Sequence, residues 1–216
     1  MIRTSLASST SLASSSSPAS SSAPAARPAS APAPAARPAP AARSALVLTA
    51  SDRSASGERP DASGELLAAR LTAMGFAVER RIVPDDRGEI AAAIVKGARD
   101  HRLVITTGGT GLTPRDVTPQ ATATVLDYEV PGIAEAMRAE GRRSTPFAAL
   151  SRGLVGVRGG SLIANVPGSP RGSMESFEVL VPLLDHALET LAGSFDHAAA
   201  RTAGRDDLPP SLPEEA

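Results

Sequence analysis

The sequence predicts an α/β fold, a three-layer sandwich with a mainly parallel sheet. The order of the predicted elements leads to this prediction. Short apolar runs alternate with segments of helical periodicity, in the order βαβαβ, then helices, then two strands and a helix. Such alternation is typical of parallel sheets that helices cover on both faces. The pattern occupies residues 44–193, roughly 150 residues, which is the size of one ordinary domain.

The first predicted elements are a strand, a polar loop and a helix. Residues 44–49, SALVLT, form a short apolar run suited to a buried strand. The loop at 51–61 is polar. A helix is predicted at 62–74 because Leu67, Leu71 and Met74 share one face, and Gly75 stands where a helix terminator is expected.

A strand, a helix and a third strand come next. The second strand contains Phe76, Val78 and Ile82 in alternation and ends at Pro84. The helix that follows begins with Asp86 and Glu89, which have the spacing of a capping box, and it runs to about residue 101. LVITT at 103–107 is a further buried strand.

The rest of the domain follows a Gly-rich loop at 108–117. Thr118 and Pro119 suit an N-cap and a first helical position, so that a helix is predicted to about residue 126. The remaining predicted elements are a helix at 131–143, strands at 154–157 and 161–166, and a helix from about Ser173 to residue 191.

Two terminal segments differ in composition from this domain. Residues 1–43 are almost entirely Ser, Ala, Pro, Thr and Arg, and PAARPA occurs at 24–29 and again at 34–39. Such a segment cannot bury enough apolar area to offset the entropy of ordering it. We therefore expect residues 1–43 to be disordered and residues 194–216 to form a flexible polar tail. The alternative interpretation of the Ser- and Arg-containing start is an organelle transit peptide.

Composition excludes several classes of function. The net charge is −1, with one Tyr and no Trp, which argues against a nucleic-acid surface. The absence of Cys excludes disulfides, a thiol nucleophile and Cys-based zinc sites, and the three His are far apart in the sequence. No apolar run reaches the roughly 18 residues of a membrane span. We expect a cytoplasmic protein with neither nucleic-acid nor membrane partners.

Three polar loops follow the first three strands, at 51–61, 84–86 and 108–116. In open parallel sheets the ligand crevice lies outside the carboxyl ends of the strands. Right-handed crossovers place these three ends at one edge of the sheet. The sequence therefore predicts that the loops converge on a ligand site.

The Gly-rich loop suits a phosphate group. Gly108, Gly109 and Gly111 let the backbone approach a ligand, and successive backbone N–H groups can cradle phosphate oxygens. Thr107 and Thr110 add hydroxyl groups. The loop matches neither the Walker motif nor the Rossmann fingerprint. The alternative is a tight strand-to-loop exit without a ligand.

Two carboxylates sharpen the hypothesis of a phosphate site. Asp85 follows the second strand, and Asp116 lies five residues beyond Gly111. Paired carboxylates beside a phosphate cradle suit Mg²⁺, which takes one or two carboxylates together with substrate phosphates. The alternative is that Asp85 caps a turn and Asp116 caps the next helix.

Three further features have ordinary structural interpretations beside functional ones. The loop at 165–170, NVPGSP, can present backbone groups to a heterocycle or a phosphate, or merely connect a strand to a helix. Arg152 can contact an anion, although a solvated surface arginine is the default. Glu135 and Arg138 lie three residues apart on a predicted helix, where a surface pair is expected.

With these motifs the chain from 44 to 193 resembles the MogA/MoaB-type molybdopterin adenylyltransferases. The specific motif is TTGGTGLTPRDVTP at 106–119. The other motifs are individually weak but occur in the family's order: SDR at 51–53, DASG at 61–64, VPDD at 83–86, PGIAEAMR at 131–138, LSRG at 150–153 and NVPGSP at 165–170.

The resemblance implies a molybdopterin-binding domain that transfers AMP from Mg-ATP to the terminal phosphate of molybdopterin and releases pyrophosphate. It implies a homotrimer, Mg²⁺ as cofactor, and other molybdenum-cofactor biosynthesis proteins as partners. Asp85 and Asp116 match carboxylates that the family needs for activity, which makes them candidate catalytic residues and metal ligands. The candidate substrate- and nucleotide-binding residues are Ser51, Asp52, Thr107, Gly108, Gly109, Thr110, Gly111, Glu135, Ser151, Pro167, Gly168 and Ser169.

Two other functions remain open at this stage. DASG and GLTPRD look closer to MoaB-like members, some of which do not catalyse adenylylation, so one alternative is a pterin-binding protein without catalysis. The retention of Asp85 and Asp116 favours an enzyme. The other alternative is a relative that hydrolyses a different nucleotide, as in competence/damage-inducible-type proteins, which usually carry an additional domain.

Overall fold

The computed structural model describes residues 41–193. The segment predicted to be disordered lies outside the described residues apart from residues 41–43, which are exposed. The predicted tail at 194–216 lies wholly outside them. In the described part of the chain, no helix combines the length and the apolar character that crossing a membrane requires.

Six strands and six α-helices make up the described domain, together with one 3-10 helix. In chain order they are β1 (Ser44–Ala50), α1 (Asp52–Ala55), α2 (Ala62–Ala73), β2 (Ala77–Val83), α3 (Arg87–Asp100), β3 (Leu103–Thr107), α4 (Thr118–Ala123), β4 (Tyr128–Glu129), α5 (Pro131–Ser144), the 3-10 helix Pro146–Leu150, β5 (Val155–Arg158), β6 (Ser161–Val166) and α6 (Pro170–Leu191).

The strands form one sheet in the order β2-β1-β3-β6-β5-β4. The first four strands are parallel, whereas β5 and β4 are antiparallel to their neighbours. The mainly parallel sheet is thus confirmed. The antiparallel pairing of β5 with β6 arises because the two strands are joined by a hairpin turn at Gly159 and Gly160, both of which have positive φ.

Helices cover both faces of the sheet, which confirms the three-layer α/β fold. Alternate residues of each central strand enter opposite cores, so that Val47 packs with α2, α5 and α6, whereas Leu48 packs with α3 and α4. Strands buried on both faces read as continuous apolar runs in the sequence. For this reason β1 and β3 are identifiable from their composition alone.

Edge position explains why β2 differs from the central strands. Val83 is buried, but Ile82 is 39% exposed although the alternation predicts it on the core side. Among residues 41–193, β2 pairs with β1 alone, so it is an edge strand, and charged side chains occur along it.

Two predicted helix starts are corrected by the structure. Thr118 is not an N-cap: the cap position is Val117, because the Thr118 N–H donates to the Gly109 carbonyl and the side chain is buried. The last helix begins at Pro170 rather than near Ser173. Ser169 caps it by accepting from the Gly172 N–H, and Pro suits the first helical position because it lacks an N–H.

Three short elements, α1, β4 and the 3-10 helix, have no counterpart in the prediction. Each has five residues or fewer, which is too short for periodicity to define. Two of them nevertheless shape the cavities described below.

Candidate functional site

The loops after β1, β2 and β3 converge on one cavity at the carboxyl edge of the sheet, as the topology predicts. Its volume is about 930 Å³, within the usual range for small-molecule sites. We call it the acidic cavity. Its lining includes Ser51, Asp52, Arg53, Arg59, Asp61, Asp85, Gly108, Gly109, Thr110, Gly111, Thr113, Asp116, Gly168 and Ser169.

Two aspartates join the loop after β1 to the loop after β2. The Asp52 N–H donates to Oδ2 of Asp85 at 3.0 Å, and the Asp85 N–H donates to Oδ1 of Asp52 at 3.0 Å. Asp52 opens α1, whose N-cap Ser51 accepts from the Ser54 N–H. Asp85 therefore does not cap α3. That role belongs to Asp86, which accepts from the N–H groups of Gly88 and Glu89.

The Gly-rich loop is held close to the backbone of its neighbours. Gly108 has φ +95°, and a Cβ at that position would lie 2.3 Å from the Ala50 carbonyl oxygen. Gly109 has φ +61°, and a Cβ there would lie 3.3 Å from Oδ1 of Asp85. Thr107 is buried and donates its hydroxyl to the Pro167 carbonyl at 2.8 Å, which ties β3 to the loop that leads into α6.

The carboxylate of Asp116 is fixed within its own loop. Its Oδ2 accepts from the Thr113 N–H at 2.8 Å. Burial by itself raises the pKa of Asp116, but hydrogen bonds from Thr113 and Gly111 and the nearby charge of Arg152 outweigh it, so the pKa lies below its usual value. The structure thus does not use Asp116 as a cap for α4, and its carboxylate is ionised at neutral pH.

The pKa values of Asp85 and Asp52 are shifted in opposite directions. Partial burial raises the pKa of Asp85. Together with the nearby charges of Asp52 and Asp116, it outweighs the hydrogen bond from the Asp52 N–H and the charge of Arg115, both of which lower the pKa. Hydrogen bonds from Arg115 lower the pKa of Asp52. The ion pair of Arg115 with Asp52 is exposed, since 64% of the Arg115 side chain and 44% of the Asp52 side chain are accessible. It therefore contributes little to stability.

We expect Asp85→Asn to raise the free energy of unfolding at pH 7. A carboxyl whose folded pKa is raised binds protons more tightly when folded, so its contribution to stability declines as pH rises from the unfolded pKa through the folded one. The gain from Asn should therefore be present at pH 7 and lost near pH ~3.5. Urea titrations at both pH values measure it, and an equal effect at both would contradict the assignment.

The acidic cavity fits a magnesium ion that arrives with a phosphate ligand. Oδ2 of Asp85 is used by Asp52, while Oδ1 lies toward Gly109. Oδ2 of Asp116 would lie 3.1 Å from a Cβ at Gly111, two residues further along the same loop. Within residues 41–193 no cluster of three or more His, Cys, Asp or Glu could hold a metal. Two carboxylates plus ligand phosphates suit Mg²⁺, which rarely has an all-protein cage.

A second cavity of about 250 Å³ lies beside the first, and we call it the apolar cavity. Ala134 and Met137 of α5 form one wall, and Phe147 and Leu150 of the 3-10 helix form another. Phe147 is 74% exposed, which is high for an aromatic side chain in a chain with so few. The polar lining residues are Thr110, Arg138, Thr145, Ser151, Asn165, Ser169, Glu175 and Ser176.

The two cavities share a wall. Thr110, Gly111 and Ser169 line both of them. An extended ligand with a flat end and a phosphate end could therefore place the flat end against the apolar side chains while its phosphate meets the Gly-rich loop.

The structure brings most of the predicted site residues to these cavities. Ser51, Asp52, Asp85, Gly108, Gly109, Asp116 and Gly168 line the acidic cavity, Ser151 and Pro167 line the apolar one, and Thr110, Gly111 and Ser169 line both. Thr107, the last residue of β3, lines neither cavity and directly precedes the Gly-rich loop. Glu135 is exposed on α5 and lines neither cavity, so its predicted role stays a prediction.

Two arginines at the site were expected on the surface. Arg138 is half-buried, lines the apolar cavity and donates to the Gly153 carbonyl at 3.1 Å, instead of pairing with Glu135 as expected. Arg152 is also half-buried, and it donates to backbone carbonyls of the Gly-rich loop. Local sequence could not show either role, because both arginines bind carbonyl groups that are distant in sequence.

Comparison with known families agrees with this geometry. The family described as "Probable molybdopterin binding domain", of molybdenum-cofactor biosynthesis, matches residues 46–186. The chain belongs to this family. The resemblance stated from the motifs is thereby confirmed, and the match includes the Gly-rich loop and both site aspartates.

Relatives of this domain occur as separate proteins and as parts of larger ones. A molybdopterin adenylyltransferase of Helicobacter pylori strain J99 is 36% identical over 69% of this chain and 88% of that protein. The Drosophila melanogaster protein "Molybdenum cofactor synthesis protein cinnamon" is 40% identical over 67% of this chain, which spans only 25% of its length. The solved structure of the molybdopterin biosynthesis enzyme MoaB from Thermus thermophilus is 46% identical, with a TM-score of 0.65 over 69% of this chain and 96% of that one.

Proposed function

We propose that this protein adenylylates molybdopterin, with Mg-ATP as co-substrate and pyrophosphate as second product. The observation that carries the proposal is the shared wall of Thr110, Gly111 and Ser169 between an acidic cavity and an apolar cavity. A reaction that joins a pterin phosphate to a nucleotide needs a site that binds phosphates and metal and, beside it, an apolar site that binds a flat ring. The adenylyltransferase relative supports the same activity.

The acidic cavity receives the phosphates of ATP. The backbone N–H groups of Gly109 and Thr110 are the ones that would face phosphate oxygens, and Asp85 and Asp116 would hold Mg²⁺. When bound, Mg²⁺ neutralises the negative charge that the phosphates bring to a cavity already lined by carboxylates. Arg53 and Arg59 line the same cavity and add positive charge toward the departing pyrophosphate.

The apolar cavity receives the pterin. Met137, Phe147 and Leu150 offer apolar surface to a flat ring, and Ser151 and Arg138 offer hydrogen-bond donors to its polar edge. The terminal phosphate of the pterin then lies at the shared wall beside Thr110 and Ser169.

Catalysis on this arrangement is positioning and charge stabilisation. An oxygen of the pterin phosphate attacks the α-phosphorus of ATP, and a new phosphorus–oxygen bond forms. The bond from the α-phosphorus to the oxygen that bridges it to the β-phosphorus breaks, and pyrophosphate leaves with the electron pair. No residue forms a covalent intermediate.

A single-turnover assay with molybdopterin, ATP and Mg²⁺ tests the proposal, with adenylylated molybdopterin followed by chromatography. We expect product with ATP and with β,γ-methylene ATP, because its α–β bridge is intact. The α,β-methylene analogue should yield none, since the bond that must break is replaced by carbon.

The other outcomes identify the alternatives. Absence of product from folded protein that binds molybdopterin but not Mg-ATP in a calorimetric titration would indicate a non-catalytic pterin-binding protein. Hydrolysis of other nucleotide pyrophosphates without transfer to the pterin would indicate the nucleotide-hydrolase alternative.

A further inference from the structure

Arg152 makes three hydrogen bonds to the loop that carries Asp116. Its Nε donates to the Gly111 carbonyl at 2.7 Å, and its Nη2 donates to the Asp116 carbonyl at 2.5 Å. Its backbone N–H donates to the Thr110 carbonyl at 3.1 Å. Arg152 therefore contacts the loop at its first two residues, Thr110 and Gly111, and at its last residue, Asp116.

These contacts join a loop that lines the acidic cavity to a segment that lines the apolar cavity. Gly111 and Asp116 line the acidic cavity, and Ser151, next to Arg152 in the chain, lines the apolar cavity. The segment 151–153 also contacts α5, since Arg138 donates to the Gly153 carbonyl at 3.1 Å. Arg152 thus links the loop of one cavity to the wall of the other.

The guanidinium shape explains why an arginine stands here. Its donors form a rigid fork, and this fork reaches two carbonyl oxygens that are five residues apart in the loop. A lysine ammonium is a compact charge on a flexible stem and lacks this preset geometry. Within the loop, the Asp116 N–H donates to the Thr113 carbonyl and the Thr113 N–H donates to Oδ2 of Asp116. These bonds fix the local turn, whereas the position of the loop relative to the two cavities depends on contacts with other segments such as Arg152.

We propose that Arg152 is a positioning residue for nucleotidyl transfer: it holds the 110–116 loop so that Asp116, in the acidic cavity, keeps a fixed position relative to Ser151, in the apolar cavity. This inference rests on the proposed function. Because reacting groups must be aligned closely, a displacement of about 1 Å can lower the rate on the order of 10²-fold. Binding of either substrate alone does not need that alignment.

The test compares Arg152→Gln and Arg152→Lys with Arg158→Gln in the full chain. Arg158 is a matched control, because it is also half-buried and donates to a backbone carbonyl, that of Val125, but it lines neither cavity. We expect Arg152→Gln to lower kcat roughly 30- to 100-fold, with KM for ATP and for molybdopterin changed less than about threefold. Arg152→Lys should recover part of kcat, and Arg158→Gln should keep the kcat of the unchanged protein.

Hydrogen exchange gives a readout that does not depend on turnover. Amides of 110–116 should exchange faster in Arg152→Gln than in Arg158→Gln, while those of β1 and β3 stay protected. A kcat within threefold of the unchanged protein would overturn the proposal. A fall shared equally by the lysine and glutamine variants, or a loss confined to KM, would do the same. Failure of the unchanged protein to form product would instead reject the proposed function.

Discussion

Asp116→Asn is expected to retain the fold and to lose most turnover. Asn is nearly the same size as Asp and keeps one oxygen acceptor for the Thr113 N–H, whose bond to Asp116 is 2.8 Å. It lacks the negative charge that a magnesium ligand supplies in the proposed mechanism. Charge stabilisation by a metal is worth several kcal/mol, so we expect single-turnover rates to fall roughly 10²- to 10³-fold.

Asp127→Asn is the matched control for this experiment. Asp127 also sits in a loop and accepts from a backbone N–H, that of Gly159 at 2.7 Å, but it lines neither cavity. Both variants should unfold in urea within about 1 kcal/mol of the unchanged protein, as is usual for mild changes near the surface. Turnover by Asp116→Asn within a factor of three of Asp127→Asn would remove Asp116 from the proposed metal site.

Much of the fold could be predicted because its central strands are buried on both faces. SALVLT and LVITT contain only apolar residues and small polar ones, and the topology then places their following loops together. The same logic located the acidic cavity, since parallel strands bring their carboxyl ends to one edge. The same reasoning places the end of β2, with Asp85 and Asp86 after it, at that edge of the sheet.

The apolar cavity could be predicted only in part, because it is built from contacts between distant segments. The sequence pointed to Ser151 only through resemblance to a family, and to Pro167 also through the Pro- and Gly-containing loop at 165–170. It gave no indication of Phe147, whose five-residue 3-10 helix is too short for periodicity to reveal. Arg138 was expected to form a surface pair with Glu135, and Arg152 to be solvated. The carbonyl groups that hold these arginines belong to Gly153 and to the Gly-rich loop, which are distant in sequence from them. Long side chains are placed by such tertiary contacts and not by local sequence.

Gly108→Ala is expected to destabilise the protein strongly and to abolish turnover. Two effects add at this position: φ is +95°, and the new Cβ would lie 2.3 Å from the Ala50 carbonyl oxygen. The left-handed backbone alone costs an L-residue about 1–2 kcal/mol. The carbonyl belongs to the last residue of β1, a strand paired on both sides, and cannot move aside as a flexible side chain would. We therefore expect the free energy of unfolding to fall by about 3 kcal/mol or more.

Gly75→Ala separates the backbone effect from the steric one. Gly75 has a similar φ of +84°, lies at the end of α2, and has nothing within 4 Å of the position of a Cβ. It should lose about 1–2 kcal/mol and keep full turnover, because only the backbone conformation is penalised. Urea unfolding of both variants, with single-turnover rates measured where each is folded, makes the comparison. Equal losses of stability would mean that the approach of Gly108 to β1 adds nothing, and that the Gly-rich loop is not held against the sheet as the structure shows.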